Sequence, residues 1–153
     1  MKRSDALAQL SRDHHHGLVV AQRLRRATHG TARAARGEFL AFWGREGRAH
    51  FRIEEEVLLP AFTRRGSPEH EAVVRVLVDH VDLRRRAADL AADPAASPEE
   101  LHQLGERLQA HIRHEERVLF PLIEASLSDD ELSDLIAAID HAHRERETAR
   151  RPR

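Results

Sequence analysis

One twelve-residue pattern occurs twice in the chain, as Ala49-His50-Phe51-Arg52-Ile53-Glu54-Glu55-Glu56-Val57-Leu58-Leu59-Pro60 and as Ala110-His111-Ile112-Arg113-His114-Glu115-Glu116-Arg117-Val118-Leu119-Phe120-Pro121. The shared skeleton is Ala-His-x-Arg-x-Glu-Glu-x-Val-Leu-x-Pro. Each copy places a carboxylate four residues after a histidine. On a helix, positions i and i+4 share a face about 5–6 Å apart. An imidazole and a carboxylate so placed can reach one metal centre together. Two copies therefore read as two halves of a dinuclear metal site.

The rest of the chain supplies helices to carry them. Leu7, Leu10, His14, Gly17, Ala21 and Leu24 recur at spacings of three and four, the stripe of a helix capped by Ser4 or Asp5 and stopped before His29-Gly30. A second helix is predicted from Ala32 to Arg65, kinked or ended by Pro60. Gly66-Ser67-Pro68-Glu69 is a stop and restart, with Ser67 as N-cap of a third helix carrying Val73, Val76, Leu77, His80, Leu83, Ala87 and Leu90. After a linker at 93–98, a fourth helix carries Leu101, Leu104, Leu108, His111, Glu115, Val118 and Leu119, with a kink at Pro121. Ser128-Asp129-Asp130-Glu131 is a capping box for a fifth, amphipathic helix, and Arg144 to Arg153 is a solvated charge run expected to fray. No strand-like alternation appears. Short linkers favour antiparallel neighbours. The expected fold is all-α: an up-down-up-down four-helix bundle over residues 1–127, with a C-terminal helix and tail, residues 128–153, packing on it.

Composition narrows the chemistry. The 153 residues include no cysteine and no tyrosine, which excludes thiolate ligands, cysteine nucleophiles and a tyrosyl radical. A formal net charge of −1 gives nucleic-acid binding no support. No apolar run spans a bilayer and no apolar leader opens the chain, so the cytoplasm is the expected compartment. Twelve histidines are the anomaly.

Each of the four bundle helices carries one histidine on its apolar stripe: His14, His50, His80 and His111. Glu54 and Glu115 add a carboxylate one turn on. Such a set is costly to bury unless metal ions take the lone pairs and the charge. Imidazole with carboxylate suits iron, manganese or zinc. The carboxylates can bridge two metals, with His14 and His50 on one and His80 and His111 on the other. His15 is the alternative to His14, and Glu116 the alternative to Glu115. Glu55, Glu56 and Glu116 otherwise read as surface partners of arginines, and His16, His29, His70, His102, His141 and His143 as solvent-facing. A ferritin-like site needs Glu-x-x-His on two helices, and only Glu99-x-x-His102 has that spacing.

Asp13-His14 after Leu10, the two His-x-x-x-Glu-Glu…Leu-x-Pro repeats and Asp79-His80 between them resemble the hemerythrin-like, or HHE cation-binding, domains over roughly residues 5–125. The resemblance implies an antiparallel four-helix bundle around two iron ions, oxo- or hydroxo-bridged. Its ligands would be His14, His50, Glu54, His80, His111 and Glu115, with the glutamates bridging and zinc or manganese as possible substitutes. Two departures stand out. Hemerythrins proper carry His-x-x-x-His on the third helix, whereas the neighbours of His80 at that spacing are Val76 and Arg84. They also bridge through a carboxylate five residues after the fourth-helix histidine, here Glu116, whereas the internal repeat favours Glu115. A site poorer in histidine points to sensing or reaction more than to reversible oxygen carriage. The expected role is binding or sensing O2, NO or peroxide. The alternative is a di-iron oxidase, a peroxide-consuming enzyme or an iron donor in stress repair. The expected partner is a small diatomic or peroxide ligand, with no nucleic acid and no membrane; no sequence feature identifies a protein partner.

Overall fold

The computed structural model describes residues 4–151, and these form helices without a strand. Helix α1 is Asp5–Arg25. Helix α2 covers 32–62 as Ala32–Phe42, Arg48–Ile53 and Leu59–Phe62, joined by wider π-helical turns at Trp43–Gly47 and Glu54–Leu58. Helix α3 is Glu71–Ala92. Helix α4 covers 98–126 as Pro98–His114, a π turn at Glu115–Leu119 and Phe120–Ser126. Helix α5 is Asp129–Arg150.

Side-chain pairings fix the order and direction of these helices. Arg23 meets Glu38, and His14 meets His50, so α1 and α2 run antiparallel. Arg36 reaches the carbonyl of Leu90 while Glu55 meets His80, so α2 and α3 do the same. Asp82 pairs with Arg107, and His114 reaches the carbonyl of Ala72, placing α4 antiparallel to α3. His102 reaches the carbonyl of Ala27 while Ser11 donates to Glu116, which returns α4 to α1. Where α1 crosses α4, a Cβ on Gly105 would lie 2.7 Å from the Ala21 carbonyl oxygen, so the close approach depends on that glycine.

The α1 stripe is buried as its periodicity requires. Apolar side chains fill the interior in two clusters, one around Leu7, Leu10, Leu58, Phe62, Leu119, Leu135 and Ile139, the other around Leu24, Phe39, Leu83, Leu101 and Leu108. Each buried leucine or phenylalanine contributes roughly 1.5–3 kcal/mol. A polar layer lies between the two clusters, since His14 follows Leu10 and precedes Val20 on one helix.

Several local expectations are corrected. The second helix does not end at Pro60 but carries on to Phe62, and the helix through Pro121 continues to Ser126. A proline lacks an N–H and its ring crowds the carbonyl four residues back. A π turn just ahead of each proline inserts the extra residue that relieves this, with Leu59 N–H donating to the Glu54 carbonyl and Phe120 N–H to the Glu115 carbonyl. Helix α2 stops at Phe62, short of Arg65. Ser67 is not the cap of α3: its hydroxyl accepts from the Glu69 N–H in a turn, and His70 caps the helix by accepting from the Ala72 N–H. The Ser97 and Ser128 capping boxes both form. Leu77 and Val118 are largely exposed, Leu77 with Val74, Val78 and Val81 on the outer face of α3. The charged run at the C-terminus stays helical to Arg150, whose guanidinium donates to the Arg45 carbonyl. Pro152 and Arg153 of that run lie outside the described residues, as do 1–3. No helix of the described chain is long and apolar enough to cross a membrane.

Candidate metal centre

All six residues read from the sequence meet in the polar layer. His14, His50, Glu54 and Glu115 form one group, and Glu54, His80, His111 and Glu115 a second, with donor atoms in each within 4.8 Å of one another. The two glutamates belong to both groups. Glu54 turns Oε1 to His50 Nε2 at 2.8 Å and to His14 Nε2 at 3.7 Å, and Oε2 to His80 Nε2 at 3.2 Å. Glu115 turns Oε2 to His14 Nε2 at 3.0 Å, and Oε1 to His111 Nε2 at 3.3 Å and His80 Nε2 at 3.8 Å. Each carboxylate thus gives one oxygen to each histidine pair. His15 is exposed and Glu116 lies outside both groups.

Six of these eight atoms are close to others without being hydrogen-bonded. All four carboxylate oxygens, His80 Nε2 and His111 Nε2 are buried and make no hydrogen bond. An unpaired buried polar group costs roughly 1–3 kcal/mol, more when charged. His14 Nε2 and His50 Nε2 face each other at 3.0 Å. Two donors at right angles on one ion, each about 2.1 Å from it, are about 3 Å apart. The arrangement fits metal ions drawing these lone pairs together. Four imidazoles and two carboxylates with no thiolate suit iron, manganese or zinc.

Sequence reasoning missed the layer that orients the imidazoles. His14 Nδ1 lies 2.6 Å from Glu116, His50 Nδ1 3.2 Å from Asp13, His80 Nδ1 2.8 Å from Glu55 and His111 Nδ1 3.5 Å from Asp79. A carboxylate only accepts, so at His14, His50 and His80 the contact holds the hydrogen on Nδ1 and turns the Nε2 lone pair inward, while Asp79 lies beside His111 Nδ1 without a hydrogen bond. Each helix sets a carboxylate beside its neighbour's histidine: α1 beside that of α2, α2 beside that of α3, α3 beside that of α4, and α4 beside that of α1. Glu55 and Glu116 are therefore not surface partners of arginines alone, although Glu55 also accepts from Arg84 at 3.0 Å. Glu56 does pair with Arg52 on the surface. The doubled Glu-Glu of both repeats and the Asp-His step of α1 and α3 were the available signals.

His143 also departs from its expected solvent-facing position. It is 9% exposed, with Nδ1 at the Ile139 carbonyl and Nε2 at Asp13. His102 is half-buried against the Ala27 carbonyl.

The electrostatics reflect the crowding. Burial pushes the His14 imidazole down, but the carboxylates of Glu115, Glu116 and Glu54 overcome it and hold the group well above its ordinary value. Burial likewise opposes His50 and His80, yet their carboxylate neighbours raise them to about 9 and about 11. Burial raises Glu54, and the surrounding histidines outweigh it and take the carboxyl well below the usual range. For Glu115, burial and the charge of Glu54 both push up, and His111, His14 and His80 bring it below its ordinary value. Protons on these imidazoles are what a metal has to displace.

Aromatic rings close the layer. Phe51 stacks on His80 with centroids 3.7 Å apart, and Phe120 stacks on His14 at 5.3 Å. Beside His14, His50 and His111 lies a cavity of about 20 Å3 whose apolar wall includes Phe42, Trp43, Phe51 and Ile112. That is room for a water-sized or diatomic molecule. A Cβ on Gly17, at its edge, would meet Ile112 Cδ1 at 2.9 Å. On α3, Val76 is packed in the core and Arg84 is turned to Glu55, so neither adds a donor beside His80.

Comparison with known families agrees with this geometry. The model of the hemerythrin HHE cation binding domain matches residues 5–123. No curated protein and no solved structure matches the chain.

Proposed function

The chain belongs to the hemerythrin HHE cation-binding family, and from that premise we propose a non-haem di-iron protein that binds or senses O2, NO or peroxide. The observation that carries this is the division of Glu54 and Glu115, each with one oxygen toward each histidine pair. In this reading His14 and His50 hold one iron, His80 and His111 the other, and the glutamates join them. Zinc or manganese can take the same donors. Over the described residues, 4–127 act as an up-down-up-down four-helix bundle, with the helix Asp129–Arg150 packed against it. The setting is the cytoplasm, with neither nucleic acid nor membrane as partner.

Paired iron supplies one-electron chemistry toward small oxygen or nitrogen species when bound. The chain's own residues supply the rest. Asp13, Glu55 and Glu116 hold the imidazoles of His50, His80 and His14 in the tautomer that offers Nε2, and Asp79 places its charge beside His111. Phe51 and Phe120 keep water from the ligands. Each donor group has four members, two histidines and two glutamate oxygens, which leaves positions for an outside ligand. The cavity beside the histidines has room for a diatomic, which favours binding or sensing over an oxidase acting on larger molecules.

The test is metal analysis with anaerobic iron reconstitution, followed by spectra before and after air. Two irons per chain and new near-ultraviolet and visible charge-transfer absorption in air are expected. Fewer than two metals, or a spectrum indifferent to air with iron bound, would refute the reading.

A further inference from the structure

The internal repeat allows the two half-sites to be compared residue by residue. In the second half, Asp79 faces His111 and is held by two arginines, Arg75 Nε at 3.0 Å and Arg107 Nη2 at 2.9 Å. Arg75 lies four residues before Asp79, and Arg107 four before His111. In the first half, Asp13 faces His50, and the matching positions are Gln9 and Glu46. Gln9 reaches Asp13 only as a neutral amide at 3.4 Å, and Glu46 is turned to His16. Neither arginine has a counterpart.

His143 fills that role from α5. Its Nε2 lies 3.1 Å from Asp13 Oδ2, the same oxygen that faces His50 Nδ1 at 3.2 Å. Its Nδ1 lies 3.0 Å from the Ile139 carbonyl oxygen. Leu135 and Ile139 on the same helix enter the core cluster next to the polar layer. Helix α5 lies beyond residue 123, where the family match ends. The contact therefore joins Asp13 inside the matched residues to His143 outside them.

We propose that His143 is a positioning residue of the metal centre, acting through Asp13 on His50, so that α5 is built into one half-site and tightens when metal binds. The inference rests on the metal reading above. It has two consequences. The half-sites are unequal, one supported by arginines within the four helices and the other by an imidazole from outside them. Coupling is also reciprocal: what loosens α5 weakens the first half-site, and metal there holds α5 down.

The test uses the full chain, metal-free and loaded anaerobically with ferrous iron, and compares wild type with His143→Leu, His143→Gln and Leu90→Ala. The last loosens the distant apolar cluster without touching Asp13. Hydrogen exchange of α5 amides and the rate of iron release to a chelator are read. Iron should slow exchange around Ile139–His143 in wild type and in Leu90→Ala, and not in His143→Leu. One of the two iron equivalents should leave His143→Leu about 10-fold faster, the lower end of what loss of an outer-shell partner costs. His143→Gln, whose amide can still donate to Asp13, should recover much of both effects. The proposal is overturned if His143→Leu matches wild type in both readouts, if His143→Gln is no better than His143→Leu, or if Leu90→Ala behaves like His143→Leu. A wild-type chain that takes up no metal overturns the metal reading and this inference together. Normal iron loading with any of the other three results overturns this inference alone.

Discussion

Glu116 offers the sharpest test of the outer carboxylates, because it looks like a surface residue in the sequence and sits 2.6 Å from His14 Nδ1 in the structure. Glu116→Gln keeps an acceptor there but removes its charge. A hydrogen bond to a charged group is worth about 1.5–3 kcal/mol and a neutral one about 0.5–1.5 kcal/mol, so the change should cost roughly 1–1.5 kcal/mol, or about tenfold in metal affinity. Glu116→Leu removes the acceptor and should approach the 100-fold end of outer-shell losses. At saturating metal, a 10- to 100-fold loss lowers metal-linked stability by about 1.4–2.7 kcal/mol. For a chain of this size that is roughly 3–11 °C off the melting temperature of the loaded protein. The assay is a chelator-competition titration with thermal melts in the presence and absence of metal. Glu56→Leu, at an exposed glutamate paired with Arg52, is the control. If Glu116→Leu binds metal as tightly as Glu56→Leu does, the orienting role is wrong.

Other outcomes follow from the same geometry. His50→Ala should lose one metal equivalent and keep the other, whereas Glu54→Ala should weaken both, since its oxygens face both histidine pairs; metal analysis after gel filtration distinguishes the two. In the metal-free protein, His50 and His80 are raised above their ordinary value, so the stability they contribute is full below about pH 6.5 and is lost as pH rises through about 9 and about 11. Urea melts should therefore weaken across that window without metal and stay flatter with it. Metal uptake near pH 7 should release protons, measurable in weakly buffered solution. Gly105→Ala pushes a methyl to 2.7 Å from the Ala21 carbonyl and should lower stability by about 1–3 kcal/mol in denaturant melts, partly offset by helix propensity. Gly17→Ala crowds Ile112 at the cavity edge and should slow reaction of reduced protein with O2 in stopped flow, while leaving metal stoichiometry unchanged.

What the sequence disclosed and what it hid divide along physical lines. His14, His50, His80 and His111 were visible because a polar residue on an otherwise apolar period has to be explained. The preference for Glu115 over Glu116 came from the repeat, which no single helix could have supplied. The outer carboxylates were hidden because Glu55 and Glu116 follow the inward glutamates by one residue, about a hundred degrees round the helix, where a surface partner is the ordinary outcome. The π turns ahead of Pro60 and Pro121 were hidden because proline in a helix signals a kink or an end, and nothing local shows that one inserted residue will absorb it. His143 was the least legible. It sits in a charged run with no counterpart in the repeat, and its partner Asp13 lies far away in sequence.

The way each helix supports the next has a consequence for how such a chain could arise. The hairpin of α1 and α2 pairs Asp13 with its own His50, yet His14 needs Glu116 from the other hairpin, and His80 needs Glu55. Neither hairpin completes its own half-site. Two identical hairpins related by a twofold axis would close the same circuit, each lending its second glutamate to its mate. In this chain the two hairpins are joined through the loop at 63–70, between α2 and α3. The circuit is not fully symmetric here, with arginines on Asp79 on one side and an imidazole from α5 on Asp13 on the other. Cut at that loop, the two pieces should regain metal binding only when mixed.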